Sequence, residues 1–218
     1  MNLMNCINDY IGGIEYRIPI FTEDIYNYAK TIIPDLKRNI LNEYVTRFQK
    51  NNPEFIRYQK GIYYKSIDTP FGKSSISYKD LINRIYIKNG DDVIGYESGP
   101  YFMNKIGLTT QLPAHTYLVT ENNRVTLGDI SSNMVLNKPI IKINKYNYRY
   151  LQFLDLLDNK YKVKIEANNY KEILRNYIDK YNLDFELLLF YAKYYKNNTI
   201  FKKISELAKG EKNQWNCI

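Results

Sequence analysis

Apolar residues along positions 35–50 recur at three- and four-residue spacing. At 100° per residue, Leu36, Ile40, Leu41, Tyr44, Val45 and Phe48 gather on one side of a helix. Arg38, Asn39, Asn42, Thr46 and Gln49 gather on the other, with Lys37 at the start, and Asn51-Asn52-Pro53 stops the run. Residues 22–30 predict a shorter helix before it, with Thr22 as N-cap and Glu23 and Asp24 at its positive end. A turn at 31–34 joins the two. Residues 7–11 predict a short first helix closed by Gly12-Gly13, and residues 16–21 read as extended. After the long helix, two β-rich runs within residues 55–65 flank Gln59-Lys60-Gly61, a tight-hairpin pattern. Helix, helix and basic hairpin is the chain order of a winged helix-turn-helix, with the hairpin as the wing.

The rest of the chain alternates and then turns helical. Residues 68–72, Asp-Thr-Pro-Phe-Gly, read as a linker. Helical spacing over 77–88 rests on Leu81, Ile82 and Ile85. A loop and short strand follow at 91–96, then a helix from Ser98 to about 106, ended by Gly107. Strands are predicted at 116–120, 124–127 and 139–143. From 148 onward four helices are predicted, at 148–157, 169–181, 184–195 and 199–209, before a loose tail at 211–218. The expected architecture is mixed α/β (α+β). A winged helix-turn-helix occupies residues 1–66, and an α/β domain ending in helices occupies 67–218.

Composition narrows the function classes. The 218 residues are 44% apolar, enough for a globular core, and 31 Lys and Arg against 23 Asp and Glu leave a net charge of +8. The excess is uneven. Residues 37–65 hold seven basic and two acidic side chains, 67–137 are near neutral, and 138–218 carry a net +7. Of the two basic regions only the first has the winged-helix pattern. The 23 tyrosines follow a bias of the whole chain, and most belong to core or boundary positions. Cys6 and Cys217 stand alone, with no metal-binding spacing, and predict reduced thiols. No apolar run reaches the ~20 residues of a membrane span, and the first residues lack a signal-peptide pattern. The expectation is a cytoplasmic protein with no membrane partner.

Few residues of the chain suit catalytic chemistry. His115 is the sole histidine. No GxSxG, HExxH or phosphate-binding loop occurs. Asp91-Asp92 would point to opposite faces of a strand, and the Gly-Asp-Asp run reads more simply as a turn. The expectation is a non-enzyme without metal or cofactor. Arg and Asn on the outward helix face suit guanine and adenine edges in a major groove. This makes Lys37, Arg38, Asn39, Asn42 and Thr46 candidate DNA contacts; Arg57, Lys60 and Lys65 of the hairpin join them as candidate phosphate contacts, and Gln59 as a further candidate DNA contact.

Three segments together resemble one family. Phe21-Thr22 with Ile25 opens the helical pair. The run Lys60-Gly61-Ile62-Tyr63-Tyr64-Lys65 forms the hairpin. The stretch 95–113 contains Gly107-Leu108-Thr109-Thr110-Gln111-Leu112-Pro113 and is followed by Thr116-Tyr117-Leu118-Val119-Thr120. Over residues 22–143 the chain is similar to AbiEi-type antitoxins of type IV toxin–antitoxin (abortive infection) systems. It departs from their pattern where Asn51-Asn52-Pro53 ends the recognition helix. The resemblance implies a winged helix that binds operator DNA and represses its own operon. It also implies a second domain that counteracts a nucleotidyltransferase-like toxin encoded beside it, without needing a stable complex. The rival expectations are a winged-helix regulator with no toxin, its second domain sensing a ligand or dimerising, and an enzyme acting on nucleic acid.

Overall fold

A computed structural model describes residues 2–122 and 133–212, and the chain forms two compact units, Met1–Asn83 and Arg84–Ile218. The first unit runs α1 (Leu3–Gly12), β1 (Ile20–Phe21), α2 (Thr22–Ile32), α3 (Arg38–Asn51), β2 (Phe55–Gln59) and β3 (Ile62–Lys65). Asn2 begins α1 earlier than the apolar pattern predicts, because its side chain accepts from the Met4 N–H at 2.9 Å. Thr22 is the first residue of α2 rather than its cap. Phe21 holds the cap position without a side-chain bond, and the Thr22 N–H goes to Gly61 O at 2.9 Å. The strand therefore runs directly into the helix.

The three strands order as β1-β3-β2, all antiparallel, with Ile20 opposite Tyr63 and Phe55 opposite Lys65. The register slips between Arg57 and Gln59, a bulge that twists the hairpin near its tip. Helices and sheet share one core. Ile7, Ile25, Leu41, Val45 and Phe55 are almost wholly buried in it. Phe55 stacks on Tyr63 at 4.9 Å and meets Phe48 edge-on at 5.1 Å. Each such side chain contributes about 1.5–3 kcal/mol when fully buried. Ile40, expected on the packing side of α3, is exposed instead, because Leu36, Leu41, Val45 and Phe48 fill the contact.

The expected division at residue 66 and the linker at 68–72 both shift. Residues 67–77 fold back onto the first unit as a short hairpin, β4 (Asp68–Thr69) and β5 (Gly72–Lys73), and its return. Ser77 N donates to Arg17 O at 2.7 Å, and the Arg17 Nε donates to Ser75 O at 3.1 Å. The Ser66 hydroxyl donates to Ser74 O at 3.0 Å, and Ile76 is buried. These bonds leave little free chain for a linker. Ser77 then caps α4 (Tyr78–Ile82), and a π-helical turn Asn83–Ile87 follows it across the unit boundary.

The second unit continues with β6 (Lys88–Asn89), β7 (Asp92–Val93), β8 (Gly95–Glu97), α5 (Gly99–Lys105), β9 (Thr116–Thr120) and β10 (Met134–Asn137). It ends with α6 (Tyr148–Asp158), α7 (Tyr170–Lys180), α8 (Phe185–Ala192) and α9 (Thr199–Lys212). Its sheet orders β10-β9-β8, with β8 antiparallel and β10 parallel to β9. Residues 139–143, expected as a strand, are irregular. Pro139 has no N–H for a ladder, and Ile143 N donates to the Glu121 carboxylate at 2.8 Å instead of a strand. The expected strand at 124–127 lies outside the described residues. Helix α6 buries Leu151, Gln152, Phe153, Leu154, Leu156 and Leu157, far more than one stripe, so it is the central helix of this unit. Among the described residues no helix is long and apolar enough to cross a membrane.

Candidate functional site

The polar face of α3 and the tip of the β2–β3 hairpin line one groove of about 510 Å³ in the first unit. Arg38, Asn42 and Thr46 come from α3, Arg57 from β2, and Lys60 and Gly61 from the hairpin tip. The spacing of Arg38, Asn42 and Thr46 is four residues, one turn each, so all three lie in a row along the helix. Thr46 donates its hydroxyl to Asn42 O at 2.8 Å. Gly61 sits at φ +80, the conformation that lets the tip turn tightly.

Arg38 is more constrained than its sequence position suggests. Its Nη2 donates to Glu23 Oε1 at 2.9 Å, and its Nη1 donates to Glu23 Oε2 in parallel. The guanidinium also lies 4.6 Å from the centroid of the Tyr26 ring. Tyr26 is pinned in turn, its hydroxyl donating to Leu36 O at 3.2 Å. The hydrogen bond from Arg38 holds the Glu23 carboxyl below the ordinary range and lifts the guanidinium further above its own. Sequence reasoning missed Glu23 and Tyr26 as partners, because contacts 15 and 12 positions apart need the angle between α2 and α3.

The remaining candidates do not gather. Lys37 holds the N-cap position of α3 and Asn39 is exposed on that helix, but neither lines the groove. Gln59 is half-buried beside the bulge. Lys65 sits at the opposite end of the hairpin from Lys60. Its ammonium donates to Gly12 O at 3.3 Å and lies 5.1 Å from the Tyr16 ring centroid, so it braces α1.

In the second unit the Gly-Leu-Thr-Thr-Gln-Leu-Pro run forms a clasp. The Thr110 hydroxyl and N–H and the Thr109 hydroxyl all donate to Glu166 Oε2, at 2.6, 2.8 and 3.2 Å. Leu108 O accepts the Glu166 N–H at 2.9 Å. These bonds, led by the Thr110 hydroxyl, keep Glu166 ionised below its usual range. Past the clasp, Leu112 projects with 89% of its surface exposed.

A second polar cluster surrounds Asp155 on α6. Its Oδ1 accepts from Tyr195 at 2.7 Å, and its Oδ2 accepts from Tyr96 and Ser98, each at 3.1 Å. Ser98 stands at the N-cap of α5, yet its hydroxyl serves this carboxylate and not the helix. Burial pushes Asp155 up to about 6 despite the three donors, and lifts Tyr96 and Tyr195 well above the usual phenol range. The group borders a cavity of about 110 Å³ with Met103, Asn137 and Tyr161. No motif announces this cluster, since its members lie up to 99 positions apart.

His115 meets the Tyr117 ring edge-on at 6.3 Å. Gly90 and Asp91 form the two-residue turn between β6 and β7. No group of three or more His, Cys, Asp or Glu side chains is placed to hold a metal ion among the described residues. No protein-family model matches the chain, and no curated protein is similar to it.

Proposed function

We propose that the first unit is a winged helix-turn-helix that binds double-stranded operator DNA, with α3 as the recognition helix and β2–β3 as the wing. The single observation that carries this reading is the common groove. It collects Arg38, Asn42 and Thr46 from one helix face and Arg57 and Lys60 from the hairpin. An α-helix fits a B-DNA major groove, where Arg and Asn recognise guanine and adenine edges. Cations at the tip of a neighbouring hairpin suit the flanking phosphates. The order of elements and the β1-β3-β2 sheet support the same reading.

On this reading the protein represses its own operon in the cytoplasm. The second unit, which carries the family-like clasp at residues 107–113, counteracts a nucleotidyltransferase-like toxin encoded beside it. The test is a mobility shift on the protein's own promoter over 50–200 mM salt. Specific affinity that falls steeply with salt supports the reading. Absence of any duplex binding at 50 mM salt overturns it.

A further inference from the structure

We propose that Glu23, Tyr26 and Arg38 form a preset reader of one guanine, with Glu23 as the positioning residue and Arg38 as the contact. The inference rests on the DNA-binding reading and deepens it by naming the base that this site selects.

An arginine side chain has five N–H donors. Glu23 takes two of them, one from each terminal nitrogen, in an end-on fork. Three remain. Two of these, Nε–H and the outer N–H of the terminal nitrogen on the same side, lie parallel along the free edge of the guanidinium. That spacing matches the O6 and N7 acceptors of guanine, the commonest two-pronged contact in a major groove. Adenine offers a donor at N6 where guanine offers an acceptor, so the same edge rejects it.

Orientation is fixed before any DNA arrives. Glu23 holds one edge of the plane, and the Tyr26 ring covers one face. The bond from the Tyr26 hydroxyl to Leu36 O keeps that ring in place, and Leu36 itself is buried. A long side chain that is already ordered loses less rotamer freedom on binding. The site is also open: the Arg38 and Glu23 side chains are 57% and 50% exposed, and both line the groove with Asn42 and Thr46. Pairing neutralises Glu23, which would otherwise repel phosphates.

Selection of binding sites from a randomised duplex pool tests this, using the full-length wild type and the Glu23→Gln, Arg38→Lys and Arg38→Ala variants. Wild type should prefer guanine at one position by about tenfold or more. Arg38→Ala and Arg38→Lys should abolish that preference and leave the others in place. Glu23→Gln keeps Arg38 but weakens its brace, and should cut the same preference about fivefold. Its affinity for random duplex should be unchanged or higher, since it removes a negative charge. A merely structural ion pair would lower thermal stability and affinity without altering base choice at one position. The inference is overturned if wild type selects an operator without a guanine preference that depends on Arg38, or if either Arg38→Lys or Glu23→Gln leaves the choice at that position unchanged. It is overturned together with the DNA-binding reading if wild type binds no duplex.

Discussion

Tyr195 donates its hydroxyl to Asp155 Oδ1 at 2.7 Å, joining residues 40 positions apart on the chain. Tyr96 and Ser98 donate to the other oxygen, so the carboxylate ties β8 and the start of α5 to α6 and the segment after α8. Burial raises this acid to about 6 in the folded chain, from 3.8. Between those values the folded state keeps a proton that the unfolded chain has lost, so stability falls as pH rises through that window. The effect is about 2–3 kcal/mol. Asp155→Asn removes the titration. Urea unfolding at pH 4, 5, 6 and 7 should show the stability gap between wild type and variant changing with pH and levelling off above about 6. A gap independent of pH contradicts the raised acid. Glu23 and Glu166 titrate with the opposite sign, since their lowered values add stability that is lost as pH falls, and they cancel in this comparison.

The two hairpin lysines should behave differently. Lys60 lines the groove at the tip, while Lys65 is bonded to Gly12 O at the far end. Lys60→Ala should weaken binding to every duplex alike and make the salt slope shallower by about one unit. Lys65→Ala should leave the slope unchanged. Its cost should appear as a slightly lower melting temperature, through the loss of a brace on α1. Equal slope changes in the two variants would mean that both reach phosphate.

Gly95 tests the packing of the second unit. A Cβ there would lie 2.0 Å from Tyr86 O and 2.7 Å from Val119 O. Both are backbone atoms, so neither can swing aside. Gly95→Ala should therefore destabilise by about 3 kcal/mol or more, read from denaturant midpoints. Gly61→Val has a different cause, the φ of +80 at the hairpin tip. It should cost about 1–3 kcal/mol and reduce duplex binding through a misplaced Lys60.

Repression and protection should separate in the full-length chain. Asn42→Ala with Thr46→Ala alters two groove-lining side chains on the exposed face of α3, and neither is part of the core. The double variant should lose specific operator binding, by about 1–3 kcal/mol for each base contact removed. On the proposed antitoxin reading, co-expression with the toxin encoded beside it should still leave cells protected, because the second unit is untouched. Loss of protection by a folded double variant would place neutralisation in the first unit.

Local sequence signals, periodicity together with caps and turn residues, determined the helices and the basic hairpin of the first unit. The i, i+4 row of Arg38, Asn42 and Thr46 needs nothing beyond the helical repeat, and Gln59-Lys60-Gly61 carries its own turn chemistry. Local signals of this kind act over a few residues and survive without tertiary context. The rest was decided by contacts between distant segments. The return of residues 67–77 onto Arg17 moved the division from 66 to 83. Pairing with Gly12 O took Lys65 away from the groove, and pairing with Glu23 turned Arg38 from a free cation into a braced one. Asp155 looks like any polar position on a helix until Tyr96, Ser98 and Tyr195 close around it. A hydrogen-bond partner tens of residues away leaves no periodic trace in the chain, so only the packed structure reveals which polar side chains are free and which are held.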